Sequence, residues 1–164
     1  VIDAETVVQV LARLRKAGLD VWIGGGWGID ALLGRQTRPH QDLDLMHSAE
    51  YESLLVSVLT ASGYAESTNA RPVRFVMTSE TGIDLDLHPL VFAQDGSARQ
   101  AADNLGATFT YPAECFVTGR IQDAVVPCLS VAQQVYFHQG YEPQEPDLHD
   151  MAQLRASFGV TTHF

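Results

Sequence analysis

Gly24–Leu45 reads GGGWGIDALLGRQTRPHQDLDL, and its last four residues, Asp42-Leu43-Asp44-Leu45, decide how the rest is read. Polar and apolar residues alternate there, and in a strand residues i and i+2 project from the same face. Asp42 and Asp44 therefore share one face, while Leu43 and Leu45 enter a core on the other. Two carboxylates about 7 Å apart along a strand repel each other unless a cation sits between them, and a divalent metal is the usual one. Upstream, Gly24-Gly25-Gly26 breaks a short buried strand at Leu19–Ile23, and the spacing predicts a helix from Trp27 to Leu33, stopped by Gly34. A glycine turn that opens a helix leaves unpaired backbone N–H groups suited to an anion, and glycine lets the backbone approach it closely. A triple glycine by itself is more often a tight turn. Arg35 and Arg38, just past the helix, add the cationic groups a polyphosphate needs.

The acidic pattern recurs further on. Val73–Thr78 reads as a strand, Glu80-Thr81-Gly82 as a turn, and Ile83–Phe92 as a second alternating strand with Asp84, Asp86 and His88 on one face. If that strand neighbours the first, three or four carboxylates converge, a cluster that would suit two metal ions. One such pair is equally well the wet face of an amphipathic strand. Two pairs, each flanked by leucines at alternate positions, favour a site.

The remaining elements frame this centre. Residues 3–17 form an amphipathic helix with Val7, Val8, Leu11 and Leu14 on one side, and Ser48 is placed to cap a helix over 49–62 that ends at Gly63. Tyr64–Ser67 reads as an edge strand, 97–106 as a polar loop, and 107–129 as two or three short strands including Ala124–Leu129. Ser130 to Gln133 is a capping box opening a helix that ends at Gly140, and YEPQEPD connects it to a last helix, Leu148–Phe158. This order indicates an α/β or α+β fold around a small mixed sheet, in one domain spanning 1–164.

Composition narrows the partners. The formal net charge is −10, and among the ten basic side chains only Lys16 is a lysine. Such a surface repels polyanions, which disfavours nucleic acid, and attracts cationic small molecules. No apolar run approaches the roughly 18 residues of a membrane span, and the N-terminus reads as a charged helix, not as a leader. Cys115 and Cys128 form no CxxC and have no histidine cluster beside them, so they read as unpaired thiols of a reducing compartment, the cytoplasm. Neither GxGxxG nor a Walker A motif can be fitted to the glycines.

Gly25-Gly26-Trp27-Gly28 followed by Arg38-Pro39-His40-Gln41-Asp42-Leu43-Asp44 resembles the nucleotidyltransferase superfamily of DNA polymerase β, and within it the lincosamide and aminoglycoside-2'' adenylyltransferases. The likeness continues through Leu85-Asp86-Leu87-His88-Pro89, Asp95-Gly96-Ser97, Val126 to Ser130, and Phe137 to Tyr141. The resemblance implies an α+β nucleotidyltransferase fold with a catalytic core over about 1–92 and acceptor-side strands and helices over about 93–164. It implies transfer of a nucleoside monophosphate, AMP from ATP, to a hydroxyl of a small molecule, with pyrophosphate leaving. Asp42 and Asp44 would hold Mg²⁺, two ions in all, and Asp86 would join them or take the proton of the attacking hydroxyl. Gly25, Gly26 and Trp27 would offer backbone contacts to phosphate, and Arg38 would offset its charge. His40 would orient Asp42, touch phosphate or simply fill its loop. His88 would brace the site, unless Pro89 merely ends the strand there. Tyr141, Glu142, Glu145, Asp147 and Asp150 form an acidic segment able to receive an amine-bearing acceptor. The resemblance leaves monomer and homodimer open. Two rivals stand beside it: a metal-dependent sugar transferase, disfavoured by the short chain and the glycine turn, and an inactive nucleotide-binding module, disfavoured by the intact acid set.

Overall fold

In the computed structural model, which describes residues 1–164, helix α1 (Ala4–Lys16) lays Val7, Val10, Leu11 and Leu14 into the core. Asp3 caps it by accepting the Thr6 N–H at 2.8 Å. Strand β1 (Val21–Ile23) leads through Gly24 into α2 (Gly25–Leu33), and β2 (Asp42–Ser48) follows the arginine loop. Next come α3 (Glu52–Ala61), β3 (Tyr64–Ala70), β4 (Arg74–Ser79) and β5 (Asp84–Phe92). The chain then adds β6 (Ala98–Ala101), β7 (Thr108–Tyr111), β8 (Phe116–Ile121), β9 (Ala124–Leu129), α4 (Val131–Phe137) and α5 (Glu145–Phe158).

The strands form one mixed sheet in the order β3-β4-β5-β2-β1-β9-β8, with β6 and β7 extending from the far end of β5. The decisive pairing is β2 with β5, parallel, with Asp42 opposite Asp84 and Asp44 opposite Asp86. Leu43, Leu45, Leu85 and Leu87 all point the other way and are fully buried with residues of α1 and α3. A one-residue slip would drive the carboxylates into that core, so burial pins the register. On the carboxylate side, a smaller cluster of Met46, Leu90, Ala98, Tyr111, Cys115 and Leu129 closes the far end of the strands. Ile29 of α2 packs with Met151 and Leu154 of α5, which ties the C-terminal helix to the glycine-turn helix.

Several boundaries differ from the sequence reading. Helix α2 begins at Gly25, so Gly25 and Gly26 lie in its first turn and Gly24 is the cap. Ser48 is the last residue of β2 and makes no cap hydrogen bond; a 3-10 turn at Ala49–Tyr51 intervenes before α3. Part of the expected polar loop is β6, whose alternating Ala98 and Gln100 are buried while Arg99 is exposed. Ser130 does cap α4, accepting the Gln133 N–H at 3.2 Å, but the Gln133 side chain donates to the Thr110 carbonyl instead of closing the box. That helix ends at Phe137, short of Gly140. Helix α5 starts inside the proline-punctuated connection, because Gln144 and Asp147 make a reciprocal capping box and Pro146 sits in the first turn, where its missing N–H costs nothing. Cys115 and Cys128 are free and buried, and burial pushes both thiols up to about 12. No helix is long and apolar enough to cross a membrane.

Candidate active site

The pleat of two parallel strands gathers the acids. Asp44, Asp86 and His88 offer oxygen or nitrogen atoms that all lie within 4.8 Å of one another. His88 Nε2 is 3.1 Å from Asp44 Oδ1 and 3.8 Å from Asp86 Oδ1. Arg74, from the neighbouring β4, donates to Asp86 Oδ2 at 2.9 Å. Asp42 stands at the exposed start of β2, outside this tightest group. Desolvation by the surrounding protein, then the charges of Asp44, Asp86 and Asp84, raise its pKa to about 6. Asp86 is raised as well, by burial first and Asp44 next, against the opposing pull of His88 and Arg74. For His88, burial works against the charged form, but the hydrogen bond and charge of Asp44 and the charge of Asp86 outweigh it and raise its pKa. Asp84 shares the face, but its carboxylate accepts the Thr78 hydroxyl at 2.6 Å.

One atom in the cluster lacks a partner: Asp86 Oδ1 is buried and accepts no hydrogen bond. A buried acceptor left so costs about 1–3 kcal/mol until a proton or a cation meets it. Asp44 and Asp86, with this open acceptor and with Asp42 coupled to both by charge, offer carboxylate oxygens of the kind a hard divalent cation takes. The residues fit a hard divalent cation.

The glycine turn faces the same group. A Cβ on Gly25 would overlap Asp44 Oδ2, and the residue holds φ +56°, so both space and backbone favour glycine there. A Cβ on Gly26 would overlap the His40 ring and Arg38 Nη2 at 2.5 Å. The first turn of α2 is thus closed on one side by a β2 carboxylate and on the other by the arginine loop. Arg38 Nε and Nη2 donate to the two Asp150 oxygens of α5 at 2.8 and 2.6 Å, leaving guanidinium hydrogens for another acceptor. Arg35 is turned away, onto Gln153 Oε1 at 2.9 Å.

His40 is buried, 2.5 Å through Nε2 from Asp30 Oδ2 and against the Trp27 ring, so it braces the loop; it makes no hydrogen bond to Asp42. Trp27 is itself buried, which leaves only its backbone N–H for a phosphate. In the acidic segment, Asp150 is fully engaged by Arg38 and buried, so it does not meet an acceptor. Asp147 caps α5 through the Gln144 N–H at 2.9 Å, accepts the Tyr141 hydroxyl at 3.2 Å, and acts on Arg38 by its charge. Glu145 is exposed at the same helix end.

The family model for aminoglycoside-2''-adenylyltransferases matches residues 6–154. The chain belongs to that family. It is 33% identical over 155 residues, 94% of its length, to a lincosamide resistance protein of Staphylococcus haemolyticus, of which it covers 96%. Among solved structures, a lincosamide antibiotic adenylyltransferase with lincomycin bound superposes with a TM-score of 0.86 at 28% identity, covering 94% of this chain and 98% of that one. ANT(2'')-Ia in complex with adenylyl-2''-tobramycin matches with a TM-score of 0.74 at 24% identity, over 95% of this chain and 89% of that one, a likeness of fold. A family of nucleotidyltransferases brings a nucleotide co-substrate and metal ions, in keeping with the donor set described above.

Sequence reasoning missed Arg74, Gln100 and Asp30. Arg74 opens β4 opposite the acidic strand, and Gln100 Nε2 lies 3.2 Å from His88 Nδ1. Asp30 also accepts from the Thr37 N–H and hydroxyl, so one buried carboxylate fixes the whole arginine loop. Its place in an otherwise apolar helix was the available signal.

Proposed function

We propose that the protein transfers AMP from ATP to a hydroxyl of an amine-bearing antibiotic, with lincosamides ahead of aminoglycosides as acceptors. The observation that carries this reading is Asp86 Oδ1, a buried acceptor without a partner beside Asp44, the carboxylate that faces Gly25. That open carboxylate oxygen is placed to take the hydroxyl proton as general base. The acceptor oxygen attacks the α-phosphorus, the bond to the bridging oxygen of pyrophosphate breaks, and the proton passes to Asp86 Oδ1. The backbone N–H groups of Gly25, Gly26 and Trp27 and the free hydrogens of Arg38 bind the triphosphate. Asp42, Asp44 and Asp86 would hold Mg²⁺, two ions in this reading, whose charge offsets that of the phosphates. Glu145, Asp147 and Tyr141, with His88 at the inner edge, line the acceptor's approach. The lincosamide preference rests on the relative matched along nearly its whole length. Buried, unpaired thiols suit a reducing cytoplasm.

The deciding assay is pyrophosphate release with ATP and Mg²⁺ across lincosamides and aminoglycosides, with Asp44→Asn as control. Release that depends on one acceptor and vanishes in the variant is the expected result. Full turnover by Asp44→Asn would sink the assignment of the site.

A further inference from the structure

Behind the acid cluster, a chain of polar side chains runs from the site into the smaller core: Asp44, His88, Gln100 and Tyr111. Gln100 is 5% exposed and Tyr111 not at all. Their hydrogen bonds admit one pattern. Gln100 Nε2 lies 3.2 Å from the Val73 carbonyl oxygen, which only accepts, so that amide atom is the NH₂ group. The other amide atom, Oε1, accepts the Tyr111 hydroxyl at 2.5 Å. The same NH₂ lies 3.2 Å from His88 Nδ1, which must therefore accept. Asp44 and Asp86 favour the imidazolium, but its Nδ1–H would face the Gln100 N–H. The hydrogen bonds are therefore those of a neutral ring with its proton on Nε2, 3.1 Å from Asp44 Oδ1, which only accepts. Every donor in the chain meets an acceptor.

We propose that Gln100, backed by Tyr111, is a positioning residue that sets the tautomer of His88, turning its Nε2–H onto Asp44 and keeping the ring out of the metal's ligand set. His88 belongs by distance to the group of three side chains able to hold a metal. To ligate through Nε2, however, the ring would have to carry its proton on Nδ1, against the Gln100 N–H, and two donors would face each other. With Nε2–H committed to Asp44 Oδ1, the carboxylate is held in one rotation with Oδ2 against Gly25, and Asp86 Oδ1 stays free.

The test is ¹⁵N-histidine NMR of the whole protein, with the His88 signals among the six histidines identified by their loss in His88→Gln. In the wild type, Nδ1 is expected to resonate as an unprotonated ring nitrogen and Nε2 as a protonated one. Gln100→Glu sets an acceptor against Nδ1 and should move the proton there, with kcat falling about ten- to hundredfold and KM for ATP little changed. Gln100→Met removes the donor at similar volume and should leave the two tautomers mixed. Tyr111→Phe keeps the Gln100 NH₂ between Val73 and His88, so the wild-type pattern persists there. A proton on Nδ1 in the wild type, or an unaltered pattern in Gln100→Glu, would overturn the inference. If Gln100→Glu does not fold, an unmixed pattern with full kcat in Gln100→Met would overturn it equally. The kcat arm rests on the proposed transfer reaction; absence of turnover in the wild type would count against that reaction alone, since the tautomer is read without it.

Discussion

Gly25 and Gly34 both hold a left-handed backbone, at φ +56° and +72°, yet only Gly25 has a neighbour where a Cβ would be. That neighbour is Asp44. Alanine at either position carries the left-handed penalty of roughly 1–2 kcal/mol. Both variants are therefore expected to melt several degrees lower, while only Gly25→Ala should lose transfer activity by displacing the carboxylate; melting curves and turnover on the same samples separate the two effects. Asp42 supplies a second prediction. Its pKa is raised from 3.8 to about 6 by desolvation and three neighbouring carboxylates, so the folded state holds this proton more tightly than the unfolded chain does. The resulting penalty is absent below the unfolded pKa, grows as pH rises through that window, and is complete above it. Asp42→Asn removes the charge. After allowance for solvent screening of an exposed residue, it is expected to stabilise the protein by about 1 kcal/mol at neutral pH, or about 2–4 °C in Tm, and by nothing near pH 3. Thermal melts across that range read the difference, and transfer should be abolished at every pH.

At the scale of elements, the acid strands and the C-terminal helix reach the site by different routes. β2 and β5 carry the carboxylates themselves. α5 acts through Asp150, which grips Arg38 beside Gly26. Asp150→Asn keeps the volume but loses the paired charge, so Arg38 should wander: the expected outcome is a KM for ATP raised about tenfold, a stability loss on the order of 2 kcal/mol, and a kcat that falls less than KM rises. Steady-state kinetics with saturating acceptor would show it. The shared face of each acid pair was legible because alternation with period two leaves the leucines only one side to bury, but the β2–β5 pairing was only a condition in the sequence, and the register that sets Asp44 opposite Asp86 came from the sheet. β6 was not legible, because Ala98-Arg99-Gln100-Ala101 carries no apolar alternation; it pairs because β5 and β7 present it with partners. The start of α5 was hidden by its prolines, one of which lies inside the first helical turn. Arg74 reaches Asp86, and Gln100 reaches His88, from other strands; an arginine two residues past Pro72 or a glutamine in a polar tract reads as solvated surface until the sheet order is known. Asp150 was read as a contact for the acceptor for the same reason: its partner lies 112 residues away.

For the whole molecule, charge is unevenly committed. Twenty acidic side chains face ten basic ones, and three of the arginines, Arg38, Arg71 and Arg74, are already paired with carboxylates. The uncompensated field is negative, and it works in opposite directions on the two proposed substrates: it repels a nucleoside triphosphate and attracts an amine-bearing acceptor. In the proposed binding mode the nucleotide is held by close, partly desolvated contacts at the glycine turn, which salt screens little, whereas the acceptor gains from long-range attraction, which salt screens within about 8–10 Å. Raising ionic strength from about 0.01 M to 0.15 M is thus expected to lower kcat/KM for a protonated lincosamide or aminoglycoside severalfold, and to leave kcat/KM for ATP unchanged or slightly higher. Glu145 is the place to test the cause, since it is exposed at the start of α5 and is not a member of the acid cluster. Glu145→Gln should raise KM for the amine-bearing acceptor two- to fivefold at low salt and flatten its salt dependence. A neutral N-acylated analogue of the same acceptor should respond neither to salt nor to the substitution. Equal salt slopes for the charged and acylated acceptors would remove electrostatic steering from the account and leave acceptor choice to the shape of the site alone.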